Sequence, residues 1–464
     1  EFSWTSLIQG FIQRNEFQHA LTVYNRMQDE RVHPSKYTFI ALLKACSTVK
    51  SSAKGRELHL LIVKMECESD VYIGSSLVTM YAKCGLLVDA RKVFEDLADR
   101  NVVLWTALIA GYADNGCGEE AIHSFYRMVS EGIYPNVVTY FSTLKACAIV
   151  EDLISGAALH AEIIQEGLEN DFLVGSTLVD MYAKCGALLE AQGVFDELIT
   201  KDVVPWTALI AGYVNHGREE EALSCLEQMR GEGVSPDAIA LLFMLKACGS
   251  IGDIDRGQQI HAQVIEGGYE RDSCLSNAMV DMYAKNGFLI DAQQIFNNLP
   301  QQDVISWAVL LGGYTENELN DEALECAERM RLEGVPLDAV MFLYCLKACG
   351  SSMNIKKGWL THDEIIREGF EVDTFVGSAL LHMYAKCGAL AKAKEIFDML
   401  PERNAISWNA LMTGYIVYGR DEEVLNCIDQ MHLEGVFPSI VTVICCLNAC
   451  SNSRLILKGC EIHS

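Results

Sequence analysis

Two stretches of this 464-residue chain place histidine and glutamate where metal-assisted deamination would need them. His160-Ala161-Glu162 and His362-Asp363-Glu364 read H-x-E. In that pattern the histidine ligates zinc and the glutamate shuttles protons for a metal-activated water. The other half of the signature, P-C-x-x-C, does not occur, and none of the 18 cysteines forms a C-x-x-C pair. A zinc site of ordinary spacing is therefore not expected. The same position is held by His59, His261 and His463, and a histidine recurring at fixed intervals fits helix packing better than catalysis. Gly116 to Ala121 (GCGEEA) matches a dinucleotide fingerprint, but no strand precedes it, as that site would require. No nucleophile, paired-acid, metal or cofactor constellation is left, so nothing marks the chain as an enzyme.

The intervals themselves reveal the organisation. LVDMYAKCGALLEA, from Leu178 to Ala191, recurs with small changes from Leu77, Met279 and Leu380, at a period of 101 residues. Trp4, Trp105, Trp206, Trp307 and Trp408 keep that period, as do Cys46, Cys147, Cys248, Cys349 and Cys450. Length alone would suggest about three domains, but a fixed period means one array whose stacked units share a continuous core. Each block divides into units of 35, 35 and 31 residues. The expected units are 1–35, 36–70, 71–101, 102–136, 137–171, 172–202 and 203–237, then 238–272, 273–303, 304–338, 339–373, 374–404 and 405–439. A partial fourteenth covers 440–464.

Every unit holds two segments of helical periodicity. Trp206, Leu209, Ile210 and Tyr213 fall on one helical face, and Ala222, Leu223, Leu226 and Met229 on another. Gly217 separates them as a helix stop, and Glu219 to Glu221 suit the next helix N-terminus. Gly233 and Pro236 close the unit. No strand alternation persists. The expected fold is all-α, a right-handed superhelical solenoid of helical hairpins.

Half of the residues are apolar, yet no window approaches the roughly 18 unbroken apolar residues of a membrane span. Many of the cysteines sit at repeating positions beside small or apolar residues, as buried free thiols do. Net charge is −27, which by itself argues against nucleic acid. Its distribution qualifies that. Acid collects on second helices and turns, at Glu119-Glu120, Glu219 to Glu221, Asp321-Glu322 and Asp421 to Glu423. First helices are nearly acid-free and carry a lysine column: Lys44, Lys145, Lys246 and Lys347 in middle units, Lys83, Lys184, Lys285 and Lys386 in third units.

The alternating unit lengths, the MYAKCG string, the W-x-A-L-I-x-G-Y opening and the LKAC and IHA pairs resemble pentatricopeptide repeat proteins. The likeness is to the plant PLS subclass, and it covers essentially the whole chain. It implies binding of single-stranded RNA, one base per repeat, read by two or three side chains. In the family the reading pair is the residue opening the first helix and the last residue of the unit. Short hydroxyl or amide side chains reach a base edge, and a terminal Asp or Asn selects among donors and acceptors. Carried over, first units pair Thr5 with Ser35, Thr106 with Asn136, Thr207 with Asp237, Ala308 with Asp338 and Asn409 with Ser439. Third units pair Ser75 with Asn101, Ser176 with Asp202, Asn277 with Asp303 and Ser378 with Asn404.

The family's rules make Thr or Ser with Asn an adenine reader, and with Asp a guanine reader. Asn with Asp favours uracil, and Asn with Ser favours cytosine. Ala308 lacks a polar group and departs from the pattern. The residue after each unit start wedges between bases: Phe2, Tyr72, Val103, Leu173, Val204, Cys274, Ile305, Phe375 and Ile406. Lys83, Lys184, Lys285 and Lys386 become phosphate contacts. Middle units open with the apolar Ile40, Phe141, Leu242, Leu343 and Ile444, which suit spacers or docking of an editing cofactor protein. Similar plant proteins select mitochondrial or chloroplast transcripts for C-to-U editing, with a deaminase supplied in cis or in trans. The chain opens inside a repeat, shows no transit peptide and reads as a segment of a longer protein. The competing class is a peptide-binding scaffold of tetratricopeptide type. Its uniform unit of about 34 residues does not match the third units here.

Overall fold

The computed structural model describes residues 2–371 and 373–452, for Phe2 the backbone alone. Residues 453–464, with His463 and the end of the fourteenth unit, lie outside them. Among the described residues there are 27 α-helices and no strand. They cluster into two compact units, Glu1–Ala240 and Leu241–Ser464.

Within each compact unit the helices alternate as antiparallel hairpins. First helices begin at residues such as Lys36, Val71, Val102, Val137, Phe172 and Val203, second helices at Ser52, Leu87, Gly118 and Leu153. Neighbouring first helices pack on one another, and second helices pack on the first helix of their own hairpin and on the next one. Gly217 takes φ +68, the left-handed geometry that ends the helix Val203–Asn215. One block later Glu318 adopts φ +60 at the same place, which costs a side-chain-bearing residue about 1 kcal/mol.

Three interlocks recur in each block. Phe94, Phe195, Phe296 and Phe397 pack edge-on against Trp105, Trp206, Trp307 and Trp408, with centroids 4.5, 4.4, 4.6 and 4.5 Å apart. These tie the second helix of a third unit to the first helix of the next block. Second helices of middle units yield at Gly55, Gly156, Gly257 and Gly358, where a Cβ would meet the sulfur of Met80, Met181, Met282 and Met383 within 2.4–2.6 Å. First helices approach closest at Ala82–Gly111, Ala183–Gly212, Ala284–Gly313 and Ala385–Gly414, where an added Cβ would meet the alanine Cβ at 2.6–2.7 Å.

The last contact sets the pitch between neighbouring first helices. Gly212→Ala should destabilise the array by about 1–3 kcal/mol through overpacking, read as a lower urea midpoint. Combining it with Ala183→Gly should recover part of the loss. An unchanged midpoint in Gly212→Ala would show that the spacing is not limiting.

Candidate nucleic-acid interface

Every terminal residue of the nine pairs is the N-cap of the first helix that follows. Asn136 Oδ1 accepts from Thr139 N at 2.9 Å, Asp237 Oδ1 from Ala240 N at 2.8 Å and Asp338 Oδ1 from Met341 N at 2.9 Å. Asn101 caps Leu104 N at 3.1 Å, Asp202 caps Val204 N at 2.9 Å and Asp303 caps Ser306 N at 2.8 Å. Asn404 Oδ1 takes two N–H groups, from Ile406 and Ser407, both at 3.0 Å. Ser35 and Ser439 cap Thr38 N and Thr442 N, each at 3.3 Å. As whole residues, these caps are half-buried or exposed.

The opening residues lie deeper. Ser75, Thr106, Ser176 and Thr207 are buried, whereas Thr5, Asn277, Ala308, Ser378 and Asn409 are half-buried. In third units the hydroxyls of Ser75, Ser176 and Ser378 donate to their own helix, to the carbonyls of Tyr72, Phe172 and Thr374. Asn277 Oδ1 is buried and finds no partner in the protein.

First units differ in that opening and terminal residues are joined there, although Thr106 Oγ1 also lies 2.7 Å from the carbonyl of Val102 in its own helix. Thr207 Oγ1 donates to Asp237 Oδ1 at 3.1 Å, and Asn409 Nδ2 donates to Ser439 Oγ at 2.9 Å. Thr5 and Ser35 meet through Thr38, at 2.7 and 2.9 Å, and Thr106 and Asn136 through Thr139, at 2.7 and 3.0 Å. Ala308 has no group with which to reach Asp338.

Tyr72, Val103, Leu173, Val204, Cys274, Ile305, Phe375 and Ile406 are all exposed, Phe375 to 75% of its surface. The side chain of Phe2 lies outside the described residues. Middle units continue this stripe, which the sequence reading missed: Tyr37, Val138, Ile239, Val340 and Val441 are equally exposed at the second position of their helices. An apolar residue at that position of every unit was the available signal. Ile40, Phe141, Leu242 and Leu343 are half-buried and Ile444 is exposed, and none can hydrogen-bond a base edge.

The four third-unit lysines are exposed but not equivalent. Lys184 Nζ lies 2.8 Å from Asp180, and Lys285 Nζ 2.8 Å from Asp281, both one helical turn earlier. Thr79 and His382 stand at the matching places beneath Lys83 and Lys386, and those two lysines have no carboxylate partner among the described residues. Lys145 of a middle unit is likewise paired, with Asp114 at 2.6 Å.

The recurring histidines are packing groups. His59, His160, His261 and His362 place Nδ1 at 2.8, 3.0, 2.9 and 2.8 Å from the hydroxyls of Tyr81, Tyr182, Tyr283 and Tyr384 on the next first helix. Burial pushes the Tyr384 phenol up to about 12, so it keeps a proton to donate. Among the described residues no group of three or more His, Cys, Asp or Glu could hold a metal ion. No helix among them is long and apolar enough to cross a membrane.

A run of stacked helical hairpins whose first helices carry polar caps and exposed apolar side chains defines an α-solenoid repeat protein. The chain belongs to the pentatricopeptide repeat family. The profile of the PPR repeat family matches residues 1–48, 100–149 and 201–250. That of the PPR repeat matches 75–102, 176–203, 275–304, 305–335, 378–404 and 406–436. Pentatricopeptide repeat-containing protein At2g33680 of Arabidopsis thaliana is 35% identical over 98% of this chain and 64% of its own length. The chloroplastic Arabidopsis protein At4g18520 is 33% identical over 93% of this chain and 70% of its own. The mitochondrial At3g09040 is 33% identical over 100% of this chain and 45% of its own. The chain spans about half to two thirds of most of these curated relatives. Maize PPR10 superposes with a TM-score of 0.59 at 16% identity, over 99% of this chain and 72% of that one. PPR10 has also been solved in complex with an 18-nucleotide psaJ RNA element, matching at a TM-score of 0.56, 18% identity and 99% and 78% coverage. These two likenesses establish the solenoid fold.

Burial lowers the pKa of His59, His160, His261 and His362 below the ordinary histidine value. The folded state therefore favours neutral rings, while the unfolded chain takes up protons from about pH 6.5 downward. The stability these groups contribute is complete above that value and is lost as pH falls from it towards the depressed folded pKa. The urea midpoint should drop between about pH 7.5 and 5.5. The drop should be smaller in the double variant His160→Gln/His261→Gln; an equal drop would exclude these histidines as its source.

Proposed function

We propose that this chain binds single-stranded RNA sequence-specifically, as the recognition segment of a PLS-type factor. Its first and third units read bases. Its middle units are spacers or the docking place of an editing cofactor protein. The observation that carries this is the recurring arrangement of a half-buried or exposed polar cap, an opening residue behind it and an exposed apolar neighbour. The cap offers donors or acceptors to a base edge, and the apolar side chain offers a stacking face to any base. PPR10, which shares the fold, has been solved with RNA, and relatives carry chloroplastic and mitochondrial names. In this reading the protein acts in one of those organelles, marking a transcript for C-to-U editing or other processing. Any deaminase would be a separate domain or partner.

Taken in chain order from the 5′ side, with N for middle units, the bases read A, N, A, A, N, G, G, N, U, an unassigned base at Ala308, N, A, C. The ninth base tests this. Asn277→Ser would leave Ser with Asp303, the arrangement of Ser176 with Asp202, and should move preference there from uracil to guanine by about ten-fold or more. Competition among four RNAs differing only at that base measures it; equal weakening of all four would make Asn277 structural and the register wrong.

Electrostatics supply a second test. A single-stranded contact adds about 0.7 to the slope of log affinity against log salt. Lys83→Ala and Lys386→Ala should each lower the slope by about that much. Lys184→Ala and Lys285→Ala should lower it less, because Asp180 and Asp281 already neutralise those ammonium groups. Equal effects at all four lysines would contradict this.

A further inference from the structure

Thr38, Thr139 and Thr442 are wholly buried, yet each hydroxyl touches both members of the reading pair in the unit before it. All three occupy the third position of a middle unit's first helix. The capping box accounts for part of this, since Asn136 N donates to Thr139 Oγ1 at 3.2 Å and Ser439 N to Thr442 Oγ1 at 3.0 Å. It does not account for the reach across to another helix, where Thr106 Oγ1 lies 2.7 Å from Thr139 Oγ1 and Asn409 Oδ1 2.6 Å from Thr442 Oγ1. We propose that these threonines are positioning residues for base discrimination, a third determinant beside the opening and terminal residues. The inference rests on the base-reading pairs proposed above.

Counting protons shows what the third group does. Around Asn409 the donors close a ring: Asn409 Nδ2 donates to Ser439 Oγ, Ser439 Oγ to Thr442 Oγ1 at 3.1 Å, and Thr442 Oγ1 to Asn409 Oδ1. Each group donates once within the ring. The carboxamide is thereby locked against a half-turn, with its second N–H left for a ligand. At Asn136 the side-chain oxygen accepts from Thr139 N at 2.9 Å and from Thr139 Oγ1 at 3.0 Å. This requires Thr106 Oγ1 to give its single proton to Thr139 Oγ1 at 2.7 Å rather than to the carbonyl of Val102, also 2.7 Å away. The oxygen is pinned inward and Nδ2 is the group left for a base. A donor there suits adenine, whose Watson–Crick edge carries an acceptor at N1, and opposes guanine, which carries N1–H.

The two remaining first units provide an internal comparison. Where the terminal residue is Asp237 or Asp338, the third position is Ala240 or Met341. A carboxylate has only acceptors, so turning it over changes nothing and no lock is needed. Thr207 donates to Asp237 directly. Threonine thus stands where the terminal side chain carries both a donor and an acceptor.

The test is competition binding of the full chain with four RNAs that differ only at the fourth base, opposite Thr106 and Asn136. Thr139→Val keeps the shape and removes the hydroxyl; Thr139→Ser keeps the hydroxyl. The valine variant should lose roughly three- to ten-fold of its adenine preference at that base, the worth of one hydrogen bond. Preferences at the third and sixth bases, read with matching RNA sets varied at those bases, should stay unchanged, and the serine variant should retain the wild-type preference. Thr442→Val should act in the same way at the thirteenth base, which guards against a folding defect confined to Thr139. Full adenine preference in Thr139→Val, or equal weakening for all four RNAs, overturns the positioning role. A wild-type chain without preference at the fourth base overturns the base-reading pairs themselves.

Discussion

Each unit must satisfy the backbone N–H groups that open the next unit's first helix. Without a partner these donors are costly, and the last residue of the preceding unit is the side chain in reach. It must therefore carry an oxygen on a short stem. The described first- and third-unit ends are Ser35, Asn101, Asn136, Asp202, Asp237, Asp303, Asp338, Asn404 and Ser439, all cap-forming types. The same requirement holds at Asp70, Asp171, Asp272 and Asp373, which end the middle units and each cap two N–H groups. Capping spends one oxygen and leaves the rest of the side chain: an amide N–H₂, a second carboxylate oxygen or a hydroxyl. In the proposed reading, the groups available to a base are what capping leaves over, and fold and recognition would draw on the same nine side chains.

Small residues then fix where those side chains stand. The Ala183–Gly212 contact and its equivalents bring first helices together until no further methyl fits. Met181 fills the notch at Gly156, and the edge-on Phe195–Trp206 pair ties the second helix of a third unit to the next first helix. Because these contacts recur in each block, equivalent caps recur in equivalent settings within each compact unit, as a one-base-per-repeat reader requires.

Much of this was legible in the sequence because the repeat displays each position four or five times. The hairpins follow from apolar spacing at Trp206, Leu209, Ile210 and Tyr213, and the stop at Gly217 from its lack of a Cβ. The pairs were visible as types but not as contacts. Hydrogen bonds between Thr106 and Thr139 join residues 33 apart on different helices, and their alignment depends on the inter-helix step, which periodicity does not give. Thr139 itself reads as an ordinary capping-box residue after Asn136. The lysine column was visible too, but Asp180 and Asp281 were passed over among residues counted as nearly acid-free. Their effect depends on side chains one turn apart meeting on the same face.

That last point bears on how an acidic protein could hold an acidic ligand. With a net charge of −27, long-range attraction to phosphate is absent, and under the proposed function the first-helix lysines would be the local remedy. Two of the four third-unit lysines are nonetheless neutralised by their own helix. An exposed pair of this kind adds little to stability, typically under about 1 kcal/mol, so its larger effect is on what the ammonium can offer a ligand. Under the proposed function, a surface that withholds charge at Lys184 and Lys285 would leave affinity there to base edges and stacking. In the proposed reading, unspecific backbone binding would gain nothing at these places, whereas a matched base would still find its donor or acceptor. If the chain binds RNA as proposed, discrimination would follow from that imbalance, because the sequence-independent part of the interaction would be held small.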